Sequence, residues 1–291
     1  MINYKGQDWK VVVCTPAGRQ KYLEIFKKHI YRKMEEGLVD GWQLWLNTVD
    51  GNDIAYLNSM EAESPKVKIY RQGEPIESMG FYDTYNPLKT HLFFANAQDD
   101  DTVYIRFDDD IIWANDDAIE KIVKATIDNP NSFVTTPNII NSTVCNSYHQ
   151  KSGVLSTEFG KVKQYDKANP DYAYLDQFNY TDGKFCEHIH ATFRKNYEAG
   201  TLENYYLPSR VYKNYERFSI CCVAWLGKNK IALNYIEEPQ IGWEIPEARK
   251  MPNFFIGDAL LVHFSYHTQR PFLAASGADK VLLEWYNSIT K

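Results

Sequence analysis

Residues Thr102–Trp113 read TVYIRFDDDIIW. An apolar, β-branched run (Val103, Tyr104, Ile105, Phe107) stops at Asp108, Asp109 and Asp110. Apolar residues resume at once with Ile111, Ile112 and Trp113. The first run has the length and composition of a short strand near a core. Three carboxylates on its end repel one another and are costly to bury unpartnered. A divalent cation is a fitting partner, because hard oxygen ligands suit Mg²⁺ or Mn²⁺. The competing reading is a solvated acidic turn that caps the next helix. The wedging of three acids between two apolar runs favours the metal.

The residues before this stretch alternate between strand and helix. Lys10–Thr15 (KVVVCT) has the continuous apolar character of a strand buried on both faces. Pro16–Arg19 turns the chain. An amphipathic helix follows, with Tyr22, Phe26, Ile30 and Met34 on one stripe, and Gly37 stops it. Trp42–Asn47 and Val67–Tyr70 are further strands. Asp50 can cap a helix over Asp53–Met60. Asn86-Pro87 opens another helix, running to about Ala97. Asn115 caps a helix that Asn129-Pro130 ends, and Ser132–Thr136 is a strand closed by Pro137. Strand, helix and short connection in alternation predict an α/β domain with a mostly parallel, Rossmann-like sheet flanked by helices. Ligands of such sheets sit beyond the carboxyl ends of strands. Thr15–Arg19, Asn47–Asp50 and Asp108–Asp110 all lie at such ends, so they should converge on one crevice.

The later chain is less periodic. Helices are expected near Cys186–Ala199, Ser209–Arg217 and Ala278–Ile289, and strands at Phe218–Leu226 and Ala259–Tyr266. The expected organisation is a single domain over 1–291, with a ligand-binding half at 1–140 and an insertion-bearing half at 141–291. All five cysteines fit no zinc spacing, and Cys14, Cys221 and Cys222 lie in apolar runs, which points to free thiols in a reducing compartment. The opening MINYKGQDWK has no apolar signal region and no 18-residue apolar run occurs. A cytoplasmic protein without a membrane segment is expected.

A hydrophobic strand running into Asp-Asp-Asp after this alternation resembles the DxD motif of GT-A glycosyltransferases. CTPAGRQKYLEI, WQLWLNT and TVYIRFDDDI together resemble that family's nucleotide-sugar-binding half. The likeness covers roughly residues 10 to 140 and, more loosely, 250 to 275. It implies a GT-A-like fold, a nucleoside-diphosphate sugar donor (a UDP-sugar foremost) and Mn²⁺ or Mg²⁺ as cofactor. It implies Asp110 as direct metal ligand and Asp108 as a ribose-side contact or second ligand, with Asp109 open to either role or to catalysis. LVHFSYHTQRPF resembles the C-terminal HF-x-G-x-x-KPW pattern of retaining members. There His263 is the implied metal ligand and Arg270 the phosphate clamp. The spacing is one residue longer, Tyr266 replaces glycine, and Phe272 replaces tryptophan, which leaves His267 as a rival to His263. A core histidine on a buried strand is the competing reading.

Thr15, Ala17, Gly18 and Arg19 sit where the family places the nucleotide, although an ordinary helix start explains each singly. Asp50 is a candidate acceptor for a uracil-type imide, against its helix-capping role. Lys89 is a candidate phosphate contact, against an exposed helix lysine. An inverting enzyme needs a carboxylate base, and the family finds it in an acidic segment before the C-terminal histidine strand. Glu237, Glu238 and Glu244 occupy that region, with a solvated acidic loop as the alternative.

Two acceptor classes fit: a glycan or glycoconjugate, or a hydroxymethylated base of the 5-hydroxymethylcytosine type in phage DNA. Aromatic content is 15%, with 21 tyrosines, which exceeds core needs and suggests ring stacking. Phe185, Phe193, Tyr197, Tyr205, Tyr206, Tyr212, Tyr215 and Phe218 interleave with bases between Lys184 and Lys230. Bases stacked beside phosphate-binding cations are how flipped nucleotides are held. The alternative is an aromatic insertion packed on the core. Phage residence would place the protein in the host cytoplasm. The net charge of −6 argues against tight non-specific DNA binding. A non-catalytic nucleotide- or carbohydrate-binding module with a structural cation is the alternative to an enzyme. A Ca²⁺ loop, however, needs further ligands where Ile111 and Ile112 stand.

Overall fold

The computed structural model describes residues 1–71, 94, 96–163, 177–216, 218, 220–231 and 240–290. In chain order its strands are β1 (Ile2–Tyr4), β2 (Gln7–Ala17), β3 (Gly41–Leu46), β4 (Val67–Tyr70), β5 (Thr102–Phe107), β6 (Ile111–Ala114), β7 (Thr135–Ile140), β8 (Arg210–Val211), β9 (Cys222–Leu226) and β10 (Phe254–His263). The helices are α1 (Gln20–Glu35), α2 (Gly51–Glu63), α3 (Ala118–Asp128), α4 (Thr143–Ser152), α5 (Gln177–Thr181), α6 (Gly183–Ala199), α7 (Ile245–Arg249), α8 (Arg270–Ser276) and α9 (Ala278–Ile289). The expected helix from Asn86 falls largely outside the described residues.

One mixed sheet runs β4-β3-β2-β5-β9-β7-β10-β6, with β1 paired to β2 and β8 to β10. β2, β3, β4, β5, β7 and β10 point one way; β9 and β6 run against them. The α/β, mostly parallel architecture expected from the alternation is therefore present. Its parallel half, β4-β3-β2-β5, is the part where the sequence alternates most cleanly.

The expected stripe of α1 is buried as Tyr22, Phe26, Ile30 and Met34. Phe26 meets Phe107 edge-on at 5.1 Å, which seats α1 over the end of β5. Asp50 caps α2 as expected, its side chain accepting from the backbone N–H groups of Asn52 and Asp53. Two expectations need correction. Ser209–Arg217 is not helical where described: Arg210–Val211 forms β8 against β10. The strand expected at 132–136 runs instead from Thr135 to Ile140 and contains Pro137. Proline lacks the N–H a ladder needs, and β10 shifts register just after Ile256, the partner of Pro137, so the ladder is irregular there. The stretch Ile111–Trp113 is a strand in its own right.

The connection from β5 to β6 places the acids. Asp108 N–H donates to Cys221 O at 2.8 Å, Ile111 N–H to Asp108 O at 3.1 Å, and Phe264 N–H to Asp110 O at 2.8 Å. β6 then pairs antiparallel with the end of β10, with His263 opposite Ile111. This pairing brings a histidine 153 positions from Asp110 beside the acid turn. Among the described residues, no helix is long and apolar enough to cross a membrane. All five cysteines are buried and free.

Candidate functional site

The β2–α1 turn, the β5–β6 turn, the end of β10 and the start of α8 meet at the carboxyl end of β5. Asp109 and Asp110 are buried there. Each acid faces at least one guanidinium, and Asp109 and Asp110 share that of Arg19. Asp108 accepts from Arg106 Nη2 at 2.5 Å. Asp109 accepts from Arg19 Nε at 2.8 Å, again from Arg19 Nη2, and from the Gly18 N–H at 2.9 Å. Asp110 Oδ2 accepts from Arg270 Nη2 at 2.8 Å and Arg19 Nη1 at 2.9 Å, and lies 3.3 Å from His263 Nε2. The mutual repulsion of three carboxylates is thus met by three arginines.

Local sequence explains the placement. Side chains alternate across a strand, so Arg106 and Asp108 share a face while Phe107 turns to α1. Gly18 packs so closely on β3 that an added Cβ would lie 2.7 Å from Asn47 O. Gln20, at the first turn of α1, donates its N–H to Asp53 Oδ1 at 3.0 Å. His263 Nδ1 lies 3.0 Å from Asn141 O, and a carbonyl only accepts, so that nitrogen carries the proton. Asn141 follows β7 with φ 59°, a left-handed conformation that asparagine tolerates. Its backbone carbonyl thereby orients the ring and leaves Nε2 toward Asp110.

The surroundings separate the three acids chemically. Burial pushes Asp108 up to about 6, against the opposing charge of Arg106. Burial also raises Asp109, although Arg19 and the Gly18 N–H pull the other way. For Asp110 burial is outweighed by Arg19, His263 and Arg270, which hold its carboxyl well below the usual range. Asp110 is therefore the acid most firmly ionised. Its Oδ1 is buried and accepts no hydrogen bond. The Tyr22 ring lies under three cations: Lys21 at 4.8 Å, and Arg19 and Arg270 at 5.8 Å each. An open cleft of about 250 Å³ adjoins them, lined by Lys21, Tyr22, Phe264, Arg270 and Asp279 among others.

The other expected residues divide. Gly18, Arg19, Asp108–Asp110, His263 and Arg270 come together. His267 is turned away, its Nδ1 3.1 Å from Tyr180 Oη. Thr15 is committed to the core, its hydroxyl accepting from Trp42 Nε1 at 2.9 Å. Ala17 is buried at the end of β2. Asp50 is occupied as a cap. Glu244 is exposed at the start of α7. Lys89, Glu237 and Glu238 lie outside the described residues. Arg106 on Asp108, Asn141 on His263 and Asp53 on the first turn of α1 complete the surroundings, and the sequence reading assigns none of them to the site.

The basic, aromatic stretch resolves differently from a stacking platform. Phe185, Phe193, Tyr205, Tyr212 and Phe218 are in the core, while Tyr206 is exposed. Arg194 pairs with Glu198, and Arg210 stacks 4.4 Å over Tyr148. The basic face of α1 is also paired internally, through Lys27–Glu63 and through Arg32 and Lys33 with Asp116.

The donor chemistry at Asp110 fits a divalent cation that draws the rest of its shell from water or anionic oxygens. Asp110 Oδ1 and His263 Nε2 offer a carboxylate oxygen and an imidazole nitrogen. Among the described residues no group of three or more His, Cys, Asp or Glu forms a ready cage. Mg²⁺-type ions are commonly held this way, by one or two carboxylates with substrate phosphates and water completing the shell. No family model matches the chain, and no curated protein does.

Proposed function

We propose that this protein is a GT-A-like glycosyltransferase that moves a sugar from a nucleoside-diphosphate donor, a UDP-sugar foremost, to an acceptor hydroxyl. One observation carries the reading: Asp110, buried with one carboxylate oxygen unpartnered, stands with His263, Arg19 and Arg270 at the carboxyl end of β5. That is where open α/β sheets bind ligands. Asp110 and His263 would hold Mn²⁺ or Mg²⁺, which would supply charge stabilisation for a departing diphosphate. Arg19 and Arg270 take phosphate oxygens, for which their planar forks are suited. Gly18 lets the β2–α1 turn close against Asn47 and Thr48 and gives its N–H to Asp109, and this turn is what sets Arg19 beside Asp110. Asp109 holds the turn by its Gly18 and Arg19 contacts. Asp108, tied to Arg106, is the ribose-side acid.

The acceptor is assigned only as a hydroxyl-bearing molecule. Burial of five of the eight candidate stacking rings weighs toward a glycan over a DNA base.

The test is release of nucleoside diphosphate from a panel of nucleotide sugars with Mn²⁺, with and without EDTA. Metal-dependent release from at least one donor is expected, and it is lost in Asp110→Ala with folding retained. No release or binding with any donor sinks the enzyme reading. A fully active Asp110→Ala removes Asp110 from the site.

A further inference from the structure

The two oxygens of Asp110 have opposite surroundings. Oδ2 faces Arg270 Nη2, Arg19 Nη1 and His263 Nε2 at 2.8, 2.9 and 3.3 Å. Oδ1 is buried with no partner. Asp108 and Asp109 are committed to Arg106, Arg19 and Gly18, so Asp110 and His263 are the protein ligands that remain. Two ligands are few for a free Mg²⁺ or Mn²⁺, which keeps its own waters unless anionic oxygens replace them. Two guanidiniums on Oδ2, the other oxygen of the ligand carboxylate, repel a lone dication as it approaches Oδ1. Both guanidiniums can be reached by an incoming anion, since the side chains are 32% exposed for Arg19 and 29% for Arg270. Phosphate oxygens compete well for guanidinium forks.

We infer that Arg19 and Arg270 bar free divalent cation from Asp110 and admit it only together with a diphosphate. The diphosphate draws both guanidiniums off Oδ2 and completes the cation's shell from its own oxygens. Cation and donor therefore enter as a unit. This inference rests on the donor reading above and adds the gate to it.

Electron paramagnetic resonance of Mn²⁺ tests it without any turnover. The free aqua-ion signal is followed on titration into the wild-type protein alone, then with UDP, GDP, ADP or CDP, each against a protein-free blank. Wild type should take up Mn²⁺ only when a suitable nucleoside diphosphate is present. Arg270→Gln removes one repelling charge and should tighten binding of Mn²⁺ alone by at least about tenfold. Thermal melting confirms that the variant is folded. Should Arg270→Gln fail to fold, Arg270→Lys, which keeps the charge but not the fork, should leave free Mn²⁺ excluded and weaken nucleoside diphosphate binding. Wild type binding Mn²⁺ equally tightly with and without nucleotide overturns the gate and leaves the donor reading standing. So does a folded Arg270→Gln with unchanged affinity for Mn²⁺ alone, or a Lys variant that takes up free Mn²⁺. If no nucleoside diphosphate binds with or without Mn²⁺, the donor reading falls and the gate falls with it.

Discussion

Asp109 is predicted to act through its acceptor oxygens and not through its charge, which two substitutions separate. It is 2% exposed. One oxygen receives the Gly18 N–H at 2.9 Å, and the other receives Arg19 Nε at 2.8 Å. Burial raises its pKa in spite of Arg19, so the fold accommodates the charge more than it needs it. Asp109→Ala strands the buried Gly18 N–H, at a cost of about 1–3 kcal/mol. It also deprives Arg19 of its main partner. That side chain is 32% exposed and keeps Asp110, so water and the neighbour recover most of this term and about 1 kcal/mol remains. The sum is about 3 kcal/mol. Asp109→Asn keeps a carbonyl oxygen for Gly18 and gives up only the Arg19 side, costing about 1 kcal/mol. Urea unfolding followed by tryptophan fluorescence measures both. The reasoning is refuted if alanine costs under 1 kcal/mol, or if asparagine is the more damaging change.

Gly18→Ala should lower stability by about 1–3 kcal/mol, because its Cβ would stand 2.7 Å from Asn47 O and 3.0 Å from Thr48 Cβ. It should weaken nucleoside diphosphate binding more than that loss explains, and unchanged binding by calorimetry counts against the turn's role. Acid should destabilise the protein well above the carboxylate range. Burial lowers His29 and His149 to about 3 and His190 to about 4, from 6.5. Their folded forms bind fewer protons than the unfolded chain, so stability is present above pH 6.5 and falls as pH drops below it, by about 2 kcal/mol per histidine between pH 7 and pH 5. Asp108, raised to about 6, works in the opposite direction and returns about 1 kcal/mol over that window. A thermal midpoint that does not fall between pH 7 and pH 5 contradicts this balance.

Local patterns carried much of the fold. The β2–β5 strands, the α1 stripe and the Asp50 cap each depend on near neighbours, which periodicity and capping chemistry report directly. The antiparallel insertion of β9 between β5 and β7 depends on pairing across about 120 residues, for which a single sequence carries no signal. The helix expected at Ser209–Arg217 yielded to β8, because pairing with β10 overrode local preference. Aromatic residues interleaved with bases looked like a stacking platform, yet rings at helical spacing on α6 turned inward and the cations between them turned out. The acid turn itself was legible, and so was His263. What escaped notice was the counter-charge. Arg106 sits two residues before Asp108 within an apolar strand, and period-two alternation placed it on the same face from the start.

The proposed function has Asp110 and His263 as the residues that would hold a divalent cation together with a nucleoside diphosphate. Diffraction at the manganese edge, from crystals grown with Mn²⁺ and the nucleoside diphosphate that binds best, tests it most directly. The account predicts an anomalous peak about 2.1 Å from Asp110 Oδ1 and His263 Nε2, at ordinary ligand distances, with Arg19 and Arg270 moved onto phosphate oxygens. A bound diphosphate with no manganese at Asp110, or with both guanidiniums still on Oδ2, would contradict it.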